Sequence, residues 1–237
     1  MTTKNSILKL TKQGKILVSD GAWGTFLYQK GLQPGTCPEL WNLEHPEEVL
    51  DIARSYIEAG ADIIETNSFG ASIFKLASYG LEGRIYELNL KAAEISRKAA
   101  GNDKFVAGSI GPSGKLILMG EVDQEQLYDA FRQQAMALCD GGVDAIIIET
   151  MSDLEEAVAA VKACKENTDC EVIASMTFNK SGENSYHTMM GITPADMVDS
   201  LIVAGTDIIG ANCGNGIRDM IEITTLIREA NSSIPIM

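Results

Sequence analysis

Polar residues follow short apolar runs at six places in this 237-residue chain. The runs are rich in β-branched residues and read as buried strands, so the polar residues stand at strand ends. They are Asp20, Glu65, Thr66, Asn67, Ser109, Glu149, Thr150, Thr177, Asn212 and Cys213. If the strands are parallel and close into a barrel, their carboxyl ends surround one site, and we expect these side chains to share one cavity.

Among the carboxylates of this set, Asp20 and Glu149 lie on strands that are not consecutive. Facing one cavity, such a pair can hold a substrate ammonium, serve as general acid and base, or bind a hard metal ion. Their spacing alone leaves these three roles open.

Two further segments offer chemistry at the same ends. The turn that contains Gly21, Gly24 and Thr25 exposes backbone N–H groups that suit an anionic group such as a carboxylate. Cys213 lies next to Asn212 in a segment with two glycines, and its thiol can be a nucleophile, a soft-metal ligand or inert. Neither a CxxC motif nor a neighbouring histidine supports the metal reading.

A repeated pattern indicates which elements position these residues. Segments 60–66, 142–150 and 205–212 each begin with Gly, pass through Asp and continue as a β-branched run that ends on polar residues. Gly after a helix supplies a left-handed cap. The runs do not alternate between polar and apolar residues, which is typical of parallel strands that are buried on both faces.

Strand–helix alternation runs through the whole chain and predicts an α/β fold, a (β/α)₈ TIM-type barrel that is incomplete. Strands are predicted near 16–20, 62–67, 105–110, 144–149, 171–177 and 207–212, with helices near 46–59, 124–139 and 154–165. A seventh strand begins near Ile234, so residues 1–237 are expected to form one domain with six to seven strands. No GxGxxG follows the first strand, which disfavours a doubly wound nucleotide-binding sheet. The open barrel edge would favour self-association.

Composition excludes some classes of function. The net charge of −14 disfavours nucleic-acid binding. No apolar run approaches the roughly 18 residues that a membrane-spanning helix needs. The five cysteines are few, odd in number and widely spaced, which predicts reduced thiols and a cytoplasmic location.

Six motifs occur in an order that resembles a known family. They are Asp20–Thr25, Leu40–Leu43, Ala59–Phe69, Gly108–Pro112, Ile148–Thr150 and Gly210–Cys213. Together they resemble the homocysteine-binding domain of the homocysteine S-methyltransferase family. That family includes cobalamin-dependent methionine synthases, betaine–homocysteine methyltransferases and enzymes that use S-methylmethionine. The resemblance runs from about residue 14 to the C-terminus.

The resemblance implies a function, a cofactor and a set of site residues. A zinc ion in this family binds the homocysteine sulfur as a thiolate, which attacks a methyl group to give methionine. Cys213 matches the first of three zinc-binding cysteines. Asp20 and Glu149 match the acids that hold the ammonium, and the turn around Gly21 matches the part that receives the carboxylate. The substrate-binding set is therefore predicted to be Asp20, Gly21, Gly24, Thr25, Thr66, Glu149 and Asn212.

One departure from the family pattern is large. The other two zinc ligands of the family are an adjacent cysteine pair, which this sequence does not contain. Two further βα units of about 30 residues each would be needed to close the barrel. We therefore expect a C-terminally truncated domain with one zinc ligand, Cys213. A zinc site normally takes three or four protein ligands, so one thiolate does not make one.

The methyl donor predicted by the resemblance is methylcobalamin, because the motifs are most like those of methionine synthases. A corrinoid-binding domain or protein would then be a partner. Two alternatives stay open: a non-catalytic binding or docking module without zinc, and another barrel enzyme of the lyase or aldolase type that uses Asp20 and Glu149. The absence of a lysine at a strand end disfavours Schiff-base chemistry.

Overall fold

Helices and strands alternate along the chain as the sequence pattern predicts. The computed structural model describes residues 6–182 and 185–237. Its strands are β1 (Ile63–Glu65), β2 (Phe105–Ile110), β3 (Ala145–Met151), β4 (Glu171–Met176), β5 (Asn179–Gly182), β6 (Ser185–His187) and β7 (Ile208–Ala211). Its α-helices are α1 (Ile7–Lys12), α2 (Trp23–Gln29), α3 (Trp41–Glu44), α4 (Pro46–Glu58), α5 (Ile73–Ala77), α6 (Ile85–Ala100), α7 (Gln124–Asp140), α8 (Leu154–Asn167), α9 (Pro194–Ala204) and α10 (Ile217–Ala230).

Five strands form one parallel sheet in the order β1-β2-β3-β4-β7. Isolated parallel bridges extend it at both edges, from Ser19 to Ile63 and from Ile209 to Ile236. The predicted first and seventh strands are thus present as short pairings. Within the described residues no pairing joins the strand at Ser19 to the strand at Ile236, so the barrel is incomplete. A cleft of about 490 Å³ lies between these two edges.

Two apolar layers identify the sheet as part of a barrel. Alternate residues of all five strands converge in one cluster: Ile63, Phe105, Ala107, Ala145, Ile147, Ile173 and Ile208. Ile7 and Leu10 of α1 belong to the same cluster, which is therefore the barrel interior, filled from one end by a helix. The intervening strand residues, among them Ile146, Val172 and Ile209, pack on the outer side with α7 to α10.

The outer helices pack closely because small residues stand where they meet. Gly141 follows α7, and a Cβ placed there would lie 2.4 Å from the Cβ of Ala93 and 2.7 Å from the carbonyl oxygen of Leu90 on α6. At the other end of α7, Asp123 and Gln126 form a capping box. The close packing at Gly141 and the capping box at Asp123 together hold α7 in place beside the strands whose ends carry the polar residues.

The repeated Asp of the Gly–Asp pattern has a structural role at the amino ends of the strands. Asp62 and Asp207 accept hydrogen bonds from the backbone N–H groups of Val18 and Val172, at 3.2 and 2.8 Å. Asp144 does the same for Val106, and each carboxylate also pairs with a cation: Lys104, Arg97 and Lys165 in chain order. Each Asp therefore ties its own strand to the preceding one.

The hairpin β5–β6 is a feature that the sequence pattern did not predict. Its residues are mostly polar and exposed, and therefore lack the apolar signal of a buried strand. Tyr186 donates a hydrogen bond to Asp219 at 2.8 Å, and Lys180 pairs with the same carboxylate at 3.1 Å. These contacts fasten the hairpin to the first turn of α10.

Two of the five cysteines, which the sequence predicts to be reduced thiols, lie in contact with each other. They are Cys139 near the end of α7 and Cys170 just before β4. The physical reason is topological: α7 leads into β3, and β3 pairs with β4, so the two cysteines meet at the same edge of the sheet. Cys37, Cys164 and Cys213 are free, and only the last of these three is exposed. None of the helices in the described part of the chain is long and apolar enough to cross a membrane.

Candidate functional site

The carboxyl ends of the strands surround a cavity of about 610 Å³, a typical size for a small-molecule site. Its walls come from the turn after Ser19, from the ends of β1, β2, β3, β4 and β7, and from the loop before α3. The predicted site residues that line it are Asp20, Gly21, Gly24, Thr66, Glu149, Asn212 and Cys213. Thr25 lies in α2, is exposed and does not line the cavity.

Asp20 is held rigidly at one side of this cavity. Its Oδ2 accepts hydrogen bonds from the indole N–H of Trp23 at 2.9 Å and from the backbone N–H of Glu65 at 2.8 Å. Its Oδ1 accepts one from the Ser19 hydroxyl at 3.2 Å. Burial nevertheless raises the pKa of Asp20, although these three donors lower it. The carboxyl is thus well oriented and lacks a cationic partner among its hydrogen bonds.

Glu149 reaches the cavity through a β-bulge. The register between β3 and β4 shifts after Ile148, and Thr150 has a φ of 61°. Bulges of this kind often redirect side chains near active sites. The Glu149 carboxylate accepts hydrogen bonds from the Ser109 hydroxyl and, at 3.3 Å, from Asn212 Nδ2. Burial raises its pKa, and the charge of Asp20 acts in the same direction.

Glu65 is a third acid in this cavity, which the sequence placed at a strand end but not in the predicted binding set. Its carboxyl lies close enough to that of Glu149 for the two groups to interact. Burial first, and then the charges of Glu149 and Asp20, raise the pKa of Glu65 well above its usual range. Three partly buried acids around one cavity repel each other, and a bound cation would relieve that repulsion. The sequence signal that could have identified Glu65 is its position at a strand end, which it shares with Asp20 and Glu149.

Thr66 is buried at the floor of the cavity and is already hydrogen-bonded. Its hydroxyl accepts from the backbone N–H of Ser109 at 2.9 Å and is bonded to the Ser68 hydroxyl. Ser68 in turn donates to the carbonyl oxygen of Ser109 at 2.7 Å. Thr66 therefore joins the end of β1 to β2 while it lines the pocket.

Asn212 and Cys213 form the opposite wall, at the end of β7. The Asn212 side chain is bonded to Glu149, Thr150, Ser175 and Cys213. Cys213 has a φ of 59°, and its exposed thiol lines the cavity. Its sulfur lies 3.4 Å from Asn212 Nδ2 and 3.8 Å from the Thr150 hydroxyl.

The donor set does not fit a zinc centre. Across residues 6–182 and 185–237, no group of three or more His, Cys, Asp or Glu side chains is arranged to hold a metal ion. Cys37, in the loop before α3, does not line the cavity; it is buried and donates to Glu39 at 3.2 Å. Burial and the charge of Glu39 raise the pKa of Cys37 to about 12, so it is a poor source of thiolate. Among the described residues, no second thiolate lies beside Cys213 to share a metal ion with it.

The lining residues that escaped prediction include Trp23, Glu39 and Phe69. Each lies in or beside a motif that carried the family resemblance, which was the available signal. Glu39 is only 5% exposed and accepts from the backbone N–H of Gly70 at 2.7 Å, so it fastens the loop before α3 to the loop after β1. Phe69 is 41% exposed and forms an apolar wall at the opening. The cavity thus combines acids, a thiol and aromatic surface.

A family model described as homocysteine S-methyltransferase matches residues 17–237. The methionine synthase of Mycobacterium tuberculosis is 32% identical over 243 residues, which cover 94% of this chain and 20% of that protein. The S-methylmethionine–homocysteine S-methyltransferase BHMT2 of Pongo abelii is 29% identical, over 95% of this chain and 59% of that protein.

Among solved structures, the metallated form of the homocysteine methyltransferase MmuM from Escherichia coli superposes with a TM-score of 0.81 at 23% identity. The superposition covers 97% of this chain and 85% of that one, and it supports the barrel fold. The chain spans about a fifth of the length of the methionine synthases that it matches.

Proposed function

Because this chain belongs to the homocysteine S-methyltransferase family, we propose that it is the homocysteine-binding domain of an enzyme that methylates the homocysteine thiol to give methionine. The observation that carries the proposal is the meeting of Asp20, Glu65 and Glu149 in one cavity with Cys213. A ligand with an ammonium group at one end and a sulfur atom at the other matches that arrangement. In the reaction the sulfur loses its proton and gains the methyl group.

The orientation that we propose uses both ends of the cavity. Asp20 and Glu149 hold the ammonium, because their partly buried carboxyls have no cation among the hydrogen-bonding partners that residues 6–182 and 185–237 supply. The carboxylate of homocysteine lies at the turn that contains Gly21 and Gly24. Thr25 is included in this role only because of the family resemblance. Thr66 and Asn212 line the path between, and the sulfur points to Cys213.

A pair of ligands tests this proposal directly. Homocysteine should bind about 10- to 150-fold more tightly than 4-sulfanylbutanoate, which has the same thiol and carboxylate but no amino group. The difference corresponds to one charged hydrogen bond at a desolvated site, about 1.5–3 kcal/mol. Titration calorimetry on the 237-residue chain measures both. Equal affinities for the two compounds would contradict the proposal.

We propose methylcobalamin as the methyl donor, and hence a corrinoid-carrying domain or protein as a partner. The support is the resemblance of the motifs to methionine synthases, which are also among the curated relatives. We further propose a cytoplasmic location, for which the support is the small number of scattered cysteines, three of them free. Copies of the chain are proposed to associate through the open barrel edge, where Ile16 is 87% exposed.

Zinc is a cofactor that the family resemblance implies and that the residues of this chain do not fit. Cys213 is the single thiol in the cavity, and the adjacent cysteine pair of the family is not in the sequence. Affinity for zinc falls steeply when three thiolates are reduced to one. The methylating activity is therefore proposed for a site to which further ligands are added, and the role of this chain by itself is to bind homocysteine.

The 237-residue chain should accordingly bind no stoichiometric zinc. Elemental analysis of the purified protein after dialysis, beside its Cys213→Ser variant, is the measurement. We expect both to contain well below one zinc per chain. About one zinc per chain that disappears in the variant would overturn this expectation and would indicate a ligand set that the described residues do not reveal.

A second function is a binding or docking module that never takes part in methyl transfer. The donor set of the described residues, which is not arranged to hold a metal ion, favours this alternative, while the acid cluster is common to both. Addition of the homologous C-terminal segment of a complete relative distinguishes them, because only the first proposal expects zinc binding and methylation to appear. Membership of the family disfavours the third possibility, a lyase or aldolase.

A further inference from the structure

Two residues beside the cavity adopt an unfavourable backbone conformation. In the described part of the chain, Thr150 and Cys213 are the only residues other than glycine with a positive φ, 61° and 59°. Such a conformation costs about 1–3 kcal/mol for a residue with a Cβ, and it is especially unusual for a β-branched residue. It persists only where the surroundings enforce it. Something in this site must therefore hold both residues.

The Asn212 side chain contacts both of them. Its Oδ1 accepts a hydrogen bond from the backbone N–H of Thr150 at 2.9 Å, and its Nδ2 donates to the Thr150 hydroxyl at 2.7 Å. Both ends of one amide thus bind one strained residue. The Ser175 hydroxyl donates to the same Oδ1 at 2.9 Å and orients the amide from β4.

The second N–H of the Asn212 amide faces two groups that line the cavity, the Glu149 carboxylate and the Cys213 thiol. Nδ2 lies 3.3 Å from Glu149 Oε2 and 3.4 Å from Cys213 Sγ. An amide nitrogen has two hydrogens, and one is directed to Thr150. The other is shared between the carboxylate and the sulfur, so the amide stands between the acid cluster and the thiol.

We propose that Asn212 is a positioning residue: it holds Thr150 and Cys213 in their strained conformations and thereby directs the Cys213 thiol into the cavity beside Glu149. The amide is already used by protein groups on both its oxygen and its nitrogen. This occupancy favours a positioning role over the direct contact with substrate that the sequence predicts for Asn212. The proposal goes beyond homocysteine binding, because it concerns the placement of the thiol.

The first test measures strain and needs no ligand. Asn212→Ala should lower the Tm by about 4–8 °C, a shift typical of a few lost interactions in a domain of this size. In a Thr150→Gly background the same substitution should lower it by less than about 2 °C, since glycine adopts a positive φ freely. Asn179→Ala, which removes an exposed amide from β5, is the control and should leave the Tm unchanged. Equal shifts in both backgrounds would overturn the proposal.

The second test measures where the thiol points and rests on the proposed function. Saturating methionine, which we expect to occupy the cavity, should slow alkylation of Cys213 by iodoacetamide at least tenfold in the parent chain. In the Asn212→Ala variant, methionine should slow the alkylation of Cys213 less than about threefold, although calorimetry still detects methionine binding. Full protection in the variant would show that the thiol stays in place and would sink the proposal. Failure of methionine to bind either protein would instead contradict the proposed function.

A milder variant guards against misfolding. Asn212→Asp keeps an oxygen for Thr150 and Ser175 but has no N–H for Cys213. If Asn212→Ala does not fold, protection of Cys213 by methionine is measured in Asn212→Asp, where we again expect it to fall below about threefold. Cys37 and Cys164 are buried and serve as internal references in the same mass spectra.

Discussion

Asp20→Asn and Glu149→Gln should each weaken homocysteine binding by about 10- to 150-fold, and the double variant should show no measurable binding. Each substitution keeps the shape of the side chain and removes the charge that faces the ammonium. The loss of one charged hydrogen bond at a desolvated site is about 1.5–3 kcal/mol. Titration calorimetry measures the affinities. Unchanged affinity in both single variants would remove the ammonium role.

Two further carboxyls serve as controls for this prediction. Glu156→Gln removes a buried carboxyl that lies outside the cavity and accepts from the backbone N–H of Ser113 at 2.7 Å, and should change the affinity less than twofold. Glu65→Gln should have a smaller effect than Glu149→Gln. Burial and the charges of Glu149 and Asp20 raise the pKa of Glu65 well above its usual range, so Glu65 holds a proton more readily than an ordinary carboxyl and replacement by an uncharged amide removes less charge.

The acid cluster also makes the affinity for homocysteine depend on pH. Burial raises the pKa values of Asp20, Glu65 and Glu149 above those of ordinary carboxyls. Protonation therefore begins at a higher pH than usual as the solution is acidified, and a protonated carboxyl attracts an ammonium only weakly. Homocysteine affinity should consequently fall as the pH is lowered through this raised range, and the fall should be reduced in Glu149→Gln.

Leu138→Ala should lower the free energy of unfolding by about 2–5 kcal/mol, the usual range for truncation of a buried leucine. Leu138 is fully buried on α7, in the main cluster between the sheet and the outer helices. Its side chain fits against β2 where Gly108 has no Cβ, at a distance of 3.0 Å from the position that such an atom would take. Because this fit is specific, the surroundings cannot easily collapse into the space left by alanine.

Chemical denaturation measures this effect, and the same helix supplies the control. Met136 is two residues away and 40% exposed, so Met136→Ala should change the free energy of unfolding by less than about 0.5 kcal/mol. A loss below 1 kcal/mol in Leu138→Ala would mean that the helix packs on the sheet less tightly than the structure indicates.

The barrel was predictable because its signals are local and repeated. The Gly–Asp pattern marks each helix end and strand start, and the structure explains it through the bonds from Asp62, Asp144 and Asp207 to the preceding strands. The strand ends then placed Asp20 and Glu149 in one cavity, since parallel strands share a carboxyl edge. Periodicity and strand-end polarity were sufficient for this much.

Features that depend on contacts between distant residues were not predictable. The bulge at Thr150 is hydrogen-bonded by Asn212, which lies 62 positions later in the chain. The closeness of Glu65 to Glu149 depends on the order of the strands in the sheet, which no local pattern encodes. The contact between Cys139 and Cys170 follows from the neighbouring positions of β3 and β4, and spacing along the chain does not reveal it.

The position of α1 has a consequence for synthesis on the ribosome. Ile7 and Leu10 fill the barrel interior beside Ile173 and Ile208, and the backbone N–H of Leu8 is bonded to Glu171, 163 residues later. At roughly 5–20 residues per second, translation needs on the order of 10–30 s to produce that partner. The helix α1 therefore emerges well before the strands that it contacts, and it cannot reach its final position until they have been made. Folding of this chain therefore cannot be completed in the order in which it is made.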